Sequence, residues 1–339
     1  MKKLISLLVI LLIMQTVLFA QSVAETTTKT EDNVLTVYAY DSFCGDWGAG
    51  PSIVEAFEKE TGIKVDLVSA GDAIEMLNKV ILEGDKCKAD VVLGLTDDIA
   101  EKGYQFLESY SSPALESIAD EIEFDPEHRL IPFDYGTFAF VYDSEADITK
   151  PESLMDLTKD EYKGKVILID PRTSSVGMGL LLWTYNVFGD DYLSWWEKMK
   201  DNALTIASGW SAAYGLFTEG EAPIVLSYTT SPVYHVLYED TTRFQALVFE
   251  EGHQATIEGL GVMKTSDQKD EARKFIDFVL SSGQVDIAIA NSMYPANSAV
   301  ELPDAFDWAP MPEKMFKSGQ VGEEKTQEIL KAWTDLMTK

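Results

Sequence analysis

Aromatic, hydroxyl and carboxyl side chains follow three short apolar runs in this chain of 339 residues. The three segments span residues 35–50, 166–183 and 223–237, and each apolar run has the pattern of a buried parallel strand. Ligands bind beyond the carboxyl ends of such strands in open α/β sheets. The side chains in this position are Tyr40, Asp41, Trp47, Thr173, Ser174, Ser175, Tyr228, Thr229, Thr230, Ser231 and Tyr234. Their chemistry predicts a pocket for a flat, polar and charged small molecule.

Alternating strand and helix patterns must position these side chains. Short apolar runs predict strands at 36–40, 64–69, 90–95, 138–143, 166–170, 204–208 and 223–228. Helical patterns cover residues 51–62 and 72–83, and Gly62 and Gly84 mark their ends. Amphipathic helices are predicted at 268–281 and 323–337. The repeated βαβαβ order predicts an α/β fold with doubly wound sheets, and the length suggests two domains.

The first residues predict a secretory signal peptide over residues 1–24, followed by a linker over 25–33. Lys2 and Lys3 precede a predominantly apolar stretch from Leu4 to Met14. A membrane anchor is the alternative, but this core is well short of the ~20 apolar residues that span a bilayer. The first cysteine is Cys44, which excludes a lipid anchor at the cleavage site. We expect an exported, periplasmic protein whose mature chain does not insert into a membrane.

The charge balance limits the classes of partner. The chain has 27 Lys+Arg against 57 Asp+Glu, a formal net charge of −30. Such a charge argues against nucleic acid and anionic membrane surfaces, and it favours a cationic ligand. The alternative is that acidity only keeps an exported protein soluble.

The cysteine and histidine positions predict neither a disulfide nor a metal site. Cys44 follows the first strand, whereas Cys87 precedes the strand at 90–95, so we expect the two thiols at opposite edges of the sheet. His128, His235 and His253 are scattered and have no metal-ligand spacing.

Six strings of sequence resemble the periplasmic thiamine-binding proteins of ABC uptake systems. They are DSFCGDWGAGP, KADVVLGL, IPFDYGTFAFVYD, DPRTSSVGMGLLLW, SGWSAAYGLF and LSYTTSPVYHVL, and they run through most of the chain. The resemblance implies the two-lobed type 2 periplasmic binding protein fold, with a doubly wound sheet in each lobe and the ligand cleft between them. Lobe 1 would comprise residues 34–135 and 265–339, and lobe 2 residues 136–264. Crossovers would lie near 131–138 and 257–264, and the terminal helices would return to the first lobe.

The resemblance also implies the ligand and the partners. The protein would be a monomer and not an enzyme, with no cofactor. It would bind thiamine, thiamine monophosphate or thiamine diphosphate and deliver it to a permease and its ATPase.

The resemblance extends to individual site residues. It places Trp210 and Tyr228 against the ligand rings, and Tyr40 and Trp47 join them because of their position after the first strand. Asp72 and Ala73 match binding positions of the family, and Ser174 and Ser175 match its phosphate or hydroxyl contacts. The tract Tyr228, Thr229, Thr230, Ser231 and Pro232, with Tyr234, would supply a ring, hydroxyls and backbone donors. The alternatives are core packing for each aromatic ring and helix capping for Asp72 and the serines.

Two other functions are also compatible with the sequence. Thiaminase I resembles binding proteins of this fold, and it uses a cysteine nucleophile. Cys44 would be the nucleophile if this chain were such an enzyme, although no histidine is near Cys44 in the sequence. A binding protein for ferric ion, a polyamine or another organic cation is the third possibility. One departure concerns Ser292, which stands where enterobacterial relatives lead us to expect a tryptophan before Met-Tyr-Pro.

Overall fold

The computed structural model describes residues 34–317 and 319–338. The predicted signal peptide and linker therefore lie outside the described residues. Within them, the strands are β1 (Val34–Ala39), β2 (Lys64–Ser69), β3 (Val91–Thr96), β4 (Leu107–Glu108), β5 (Ile131–Asp143), β6 (Val166–Ile169), β7 (Ala203–Ala207), β8 (Ile224–Tyr228), β9 (Phe244–Ala246), β10 (His253–Met263), β11 (Tyr294–Pro295) and β12 (Met315–Phe316).

Helices connect these strands in the predicted alternation. They are α1 (Asp41–Cys44), α2 (Ala49–Thr61), α3 (Ala73–Glu83), α4 (Ala100–Gly103), α5 (Ser175–Phe188), α6 (Tyr192–Asn202), α7 (Trp210–Thr218), α8 (Pro232–Tyr238), α9 (Lys269–Val279), α10 (Gln284–Asp286) and α11 (Glu323–Met337). Gly62 ends α2 in the left-handed conformation, as predicted, because its backbone φ of 74° suits a residue without a Cβ. No helix of the described residues is long and apolar enough to cross a membrane.

The main sheet runs in the order β2-β1-β3-β10-β5-β8-β6-β7. We call the part around β1, β2 and β3 the first lobe, and the part around β6, β7 and β8 the second lobe. In each lobe the βα connections make neighbouring strands parallel, as in the pairs β1–β3 and β6–β8. Each lobe encloses its own apolar core, and the predicted two-lobed α/β fold is confirmed.

Strands β5 and β10 join the lobes. Residues 131–137 of β5 pair antiparallel with β10, and residues 138–142 of the same strand pair with β8. β10 in turn pairs with β3 through residues 258–262. These residues of β10 therefore belong to the first-lobe sheet, whereas the sequence analysis assigned all residues up to 264 to the second lobe.

A buried histidine holds the start of β10 in the second lobe. His253 Nδ1 lies 2.8 Å from the carbonyl oxygen of Phe138, and its Nε2 accepts a hydrogen bond of 2.7 Å from the backbone N–H of Phe249. Burial lowers the pKa of His253 to about 4, so the ring is neutral at physiological pH. The Trp183 ring packs against it with a centroid distance of 4.6 Å.

The two cysteines lie on either side of the β1–β3 pair. Both Cys44 and Cys87 are free thiols, Cys44 in α1 beyond the carboxyl end of β1 and Cys87 before β3.

The last helix packs on the second lobe, which differs from the predicted return to the first lobe. The Trp333 ring of α11 is buried and meets Trp196 of α6 edge-on at 5.5 Å. Tyr192 Oη donates a hydrogen bond of 3.2 Å to the carbonyl oxygen of Ile329. The apolar face of α11 was visible in the sequence, but amphipathicity indicates that a face is buried without indicating which surface buries it.

We expect replacement of Trp333 by alanine to lower the free energy of unfolding by about 3–5 kcal/mol, because a fully buried indole leaves a cavity. Lys331→Ala in the same helix is the matched control and should change it by at most about 0.5 kcal/mol, because the Lys331 side chain is 76% exposed. Urea titration followed by circular dichroism measures both. A loss below about 1 kcal/mol for Trp333→Ala would contradict the packing of α11 on the second lobe.

Candidate functional site

A cavity of about 380 Å³ lies between the two lobes. The carboxyl ends of β1 and β3 and the start of α3 supply its first-lobe wall. The starts of α5 and α7 and the end of β8 supply the second-lobe wall. Its volume falls in the range of about 300–1,000 Å³ that is common for small-molecule sites. The predicted residues that line it are Tyr40, Asp41, Trp47, Asp72, Ala73, Ser175, Trp210, Tyr228, Thr230, Ser231 and Tyr234.

Two tryptophans and a tyrosine form an aromatic wall. Trp47 of the first lobe lies 5.8 Å from Trp210 of the second, centroid to centroid, with the rings tilted by 49°. Trp210 stacks on Tyr214 at 4.8 Å and 18°. The Trp210 indole N–H donates a hydrogen bond of 2.7 Å to Ser227 Oγ, which lies 2.7 Å from Ser231 Oγ. This anchoring fixes the orientation of Trp210 at the edge of the cavity.

A buried hydrogen-bond chain supports the aromatic wall from behind. Tyr214 Oη lies 2.9 Å from His235 Nε2, and His235 Nδ1 lies 2.6 Å from Glu239 Oε2. Burial raises the pKa of Tyr214, so its hydroxyl stays protonated. Because Tyr214 cannot turn without breaking this chain, it gives Trp210 a rigid surface to stack on.

The carboxylate of Asp72 crosses the cleft and binds the start of α5. Ser174 Oγ donates to Asp72 Oδ2 at 2.7 Å, and the Ser175 backbone N–H donates to Oδ1 at 2.8 Å. Ser175 Oγ adds a longer contact of 3.3 Å to Oδ1. Burial raises the pKa of Asp72 to about 6, although the hydrogen bonds from the two serines favour its ionised form. A helix N-terminus binds anions, and here the anion comes from the protein itself.

Four predicted residues do not line the cavity. Ser174 is fully buried, caps α5 through its Oγ and donates to Asp72, so its hydroxyl does not face the cavity. Thr229 is buried, and its backbone N–H donates to the carbonyl oxygen of Thr137 at 2.9 Å. Pro232 is buried in the first turn of α8, where proline is favoured. Thr173 likewise lies off the cavity and donates to the carbonyl oxygen of Ser208.

Acidic and amide groups form the part of the wall nearest β5 and β10. Glu258 lines the cavity, and Asp134 is buried beside it on the neighbouring strand. Asn291 Nδ2 donates a hydrogen bond of 2.7 Å to Tyr40 Oη and a longer one of 3.4 Å to Asp134 Oδ2. Burial raises the pKa of Glu258 to about 8. Burial, followed by the nearby charge of Glu258, raises the pKa of Asp134 well above its usual value.

A glycine in β3 makes room for the Tyr40 ring. Gly94 has a φ of +101°, and a Cβ atom at this position would lie 2.1 Å from Tyr40 Cδ1. The ring therefore lies directly over the β3 backbone and brings its hydroxyl to Asn291.

Sequence reasoning missed lining residues such as Glu258 and Asn291, and it missed the buried Asp134 beside Glu258. Glu258 and Asp134 carried an available signal, since each is an acidic residue in a strand of otherwise mostly apolar residues, where an unpaired charge is rarely buried. Asn291 carried no such signal, because it ends a π-helical turn (Ile287–Asn291) that is 251 residues after Tyr40 and 157 residues after Asp134, the two side chains that it contacts. Ser292, noted for its departure from an expected tryptophan, lines the cavity with a φ of +52°.

The arrangement suits a flat cation better than a metal ion. No group of three or more His, Cys, Asp or Glu side chains that could hold a metal occurs among residues 34–317 and 319–338. The lining residues of the described chain include acids and aromatic rings but no lysine, arginine or histidine. Aromatic faces and carboxylates both attract a cationic ring system.

Comparison with known proteins gives three consistent results. The family described as "Bacterial extracellular solute-binding protein" matches residues 49–315. The "Thiamine-binding periplasmic protein" of Brucella melitensis biotype 1 is 43% identical over 286 residues, 83% of this chain and 84% of that protein. The protein of the same name from Escherichia coli is 42% identical over 278 residues, 81% of this chain and 84% of its own length. A solved structure titled "Periplasmic thiamin binding protein" has a TM-score of 0.85 and 38% identity, covering 90% of this chain and 96% of that chain.

We expect the Asp72 carboxyl to titrate near pH 6, because it is buried. The Ser174→Ala/Ser175→Ala double variant should shift the midpoint upward, because it removes hydroxyl donors that favour the ionised form. The folded chain holds this proton more tightly than the unfolded chain, so the contribution of Asp72 to stability falls as the pH rises from about 4 to about 6.

Carbon-13 NMR of the side-chain carboxyls measures this midpoint. The Asp72→Asn variant assigns the signal, because that signal alone should disappear. A midpoint near 4 in the parent protein, or no upward shift in the double variant, would contradict the buried contact between Asp72 and α5.

Proposed function

The chain belongs to the bacterial extracellular solute-binding proteins, and from this premise we propose that it captures thiamine in the cavity between its lobes and delivers it to an ABC importer. The observation that carries this proposal is that one cavity combines the Trp47–Trp210–Tyr214 wall with the buried acid Glu258. Relatives at 42–43% identity that bear the name thiamine-binding support the same ligand.

Each part of thiamine has a chemical counterpart in the cavity. The thiazolium ring carries a fixed positive charge, for which an aromatic face supplies about 0.5–2 kcal/mol depending on desolvation. The aminopyrimidine presents a donor and an acceptor, and Tyr40, Ser231 and Asn291 offer matching polar atoms at the cavity wall. We propose no cofactor and no metal for this function.

The hydroxyethyl tail is the part that a phosphate would extend. Ser174 and Ser175 were predicted to contact a phosphate or a hydroxyl group of the ligand, but the Asp72 carboxylate accepts the hydrogen bonds of Ser174 Oγ and of the Ser175 backbone N–H. A phosphorylated tail would have to displace or protonate this carboxylate before it reached the start of α5. We therefore propose thiamine as the principal ligand and its phosphates as weaker ligands of the state shown here.

The alternative functions find less support in the structure. A nucleophilic cysteine needs a depressed pKa, whereas burial, with a smaller contribution from Asp41, raises the pKa of Cys44 to about 12. Cys44 also lies outside the lining of the cavity. The relatives are periplasmic binding proteins, and they support a binding protein rather than an enzyme. The described residues contain no cluster of side chains that could bind ferric ion. A flexible polyamine has no flat ring that could stack on the aromatic side chains.

We propose that the chain acts in the periplasm with a permease and an ATPase as its partners, and the names of its relatives support this. We propose that a cleaved signal peptide exports the chain and that the mature protein acts as a monomer.

The direct test is titration calorimetry of the full chain with thiamine, followed by recovery of the ligand. We expect one thiamine per protein and complete recovery of intact thiamine after incubation with an excess thiol acceptor. Release of free thiazole would favour the enzyme. Heat only from ferric ion or spermidine would favour the third candidate.

We expect Trp210→Ala to weaken thiamine binding by about 1–3 kcal/mol, because it removes a stacking face and its apolar area. Trp308→Ala is the matched control, since Trp308 is also half-exposed, at 43%, but lies outside the cavity lining. Calorimetry gives the dissociation constants, and thermal unfolding shows whether either variant is misfolded. An unchanged dissociation constant with a large fall in melting temperature would mean that Trp210 serves the core instead.

A further inference from the structure

Asp134 and Glu258 form a buried pair of carboxyl groups on neighbouring strands. They are direct partners in the antiparallel register of β5 and β10. Asp134 is fully buried and Glu258 is 7% exposed. Side chains directly opposite each other on a sheet have Cβ atoms about 4.5–5.5 Å apart, and like charges in this position destabilise the pair. Two ionised carboxylates would therefore repel each other in a site with little water.

The pair lacks a countercharge in the described chain. No ion pair with lysine, arginine or histidine reaches either carboxylate within residues 34–317 and 319–338. Asp134 Oδ1 and Glu258 Oε2 are both buried without a hydrogen-bond partner. A buried polar atom without a partner is costly unless something else satisfies it.

The other titratable groups around the pair are also acidic or neutral. Tyr40, which follows β1, and Tyr228 of β8 face the pair with hydroxyls whose pKa is raised well above the usual value by burial. Asp72, before α3, adds a negative charge near Glu258, and Asp98, after β3, adds one near Tyr228. Asn291 supplies an amide but no charge. The surroundings therefore favour either a proton on the pair or a cation beside it.

The cavity offers the place for that cation. Glu258 lines it together with Tyr40, Asn291 and Ser292, and Ser292 Oγ is a further buried atom without a partner. Asp134 lies opposite Glu258 on the neighbouring strand and is buried next to this wall. A ligand with a fixed positive charge can pair only with an ionised carboxylate, because it has no proton to share.

We propose that Asp134 and Glu258 act as one acid pair that is protonated in the empty cavity and releases a proton to solvent when a cationic ligand binds. The identity of the cation as thiamine rests on the proposed function, whereas the acid pair rests on geometry alone. Ligand capture is then coupled to pH, and the affinity rises as the pH rises towards 8 because fewer protons compete with the ligand.

The first experiment measures proton release by the parent protein. Thiamine is titrated calorimetrically at pH 7 in buffers of different ionisation enthalpy, and the slope of the observed heat gives the protons released. We expect about 0.5–0.9 proton per thiamine, since a group with a pKa of about 8 is roughly 90% protonated at pH 7. The affinity should rise by up to about tenfold per pH unit from pH 6 to 8 and then level off.

Substitutions of the acidic residues show which carboxyl group releases the proton. Glu258→Gln should abolish most of the release and flatten the pH dependence, and Asp134→Asn should reduce the release because it removes the second carboxyl of the pair. Asp72→Asn removes a charge that raises the pKa of Glu258, so it should reduce the release in part without abolishing it. The exposed Glu219, changed to Gln, is the matched control and should behave like the parent.

A measurement without ligand tests the pair independently. The folded Glu258 carboxyl holds its proton more tightly than the unfolded one, so its contribution to stability is lost as the pH rises from about 4 to about 8. The melting temperature of Glu258→Gln should therefore rise relative to the parent between pH 5 and pH 8.5.

The outcomes separate the two proposals. Thiamine binding with no dependence on buffer enthalpy would overturn the acid pair and leave the proposed function standing. Proton release that persists in both Glu258→Gln and Asp134→Asn, or that vanishes in Asp72→Asn, would also overturn it. Absence of thiamine binding in every buffer would refute the proposed function. The melting curves would then test the acid pair by themselves. If the melting temperatures of the parent and of Glu258→Gln depend on pH in the same way, the proposal of an acid pair is wrong.

Discussion

The antiparallel pairing of β5 with β10 is the constraint on which the rest of the structure depends. β5 is a single strand of 13 residues that leaves the first-lobe sheet at Thr137 and enters the second-lobe sheet at Phe138. β10 lies beside it and is held to the second lobe by the hydrogen bonds of the buried His253. The cleft is therefore spanned by two hydrogen-bonded strands rather than by loops. Any motion of the lobes must bend or twist this pair, and the same pair brings Asp134 and Glu258 together.

The contact between Asp72 and α5 shows how the lobes meet across the cleft. An acidic residue from the first lobe takes the place that an anionic ligand would take at a helix N-terminus of the second lobe. A second contact across the cleft joins Ser211 Oγ to Asp41 Oδ1 at 3.0 Å, but it is exposed and therefore weaker. The protein thus uses its own carboxylates where the family resemblance led us to expect a phosphate.

Charge selects the ligand class at two length scales. The chain as a whole has a formal charge of −30, which raises the concentration of cations near it. Within the cavity the acids face aromatic rings rather than basic side chains, so a planar cation gains from both walls. An exported acidic protein is common, but an acid pair at the wall of a ligand-sized cavity, with no countercharge in the part of the chain that the structure describes, is a specific feature that only a cation or a proton can satisfy.

The strands, the helices and many of the residues that line the cavity can be predicted from the sequence. Apolar runs and glycine positions predicted β1, β3, β8, α2 and α3, because hydrophobic periodicity and backbone conformation are local properties. The aromatic and hydroxyl residues at Tyr40, Trp47, Trp210 and Tyr228 followed from the same patterns and from the family resemblance, and they line the cavity.

Which side chains contact each other depends on the tertiary structure. Asp72 and Ser174 are 102 residues apart in sequence, so whether the serine binds phosphate or the aspartate cannot be derived from either helix. The lobe that buries Trp333 is likewise absent from the periodicity of α11, because an apolar face records burial but not its partner. Asp134 and Glu258 are neighbours only because β5 and β10 pair in one register, and a shift of one residue would turn one of the carboxyls to the opposite face of the sheet.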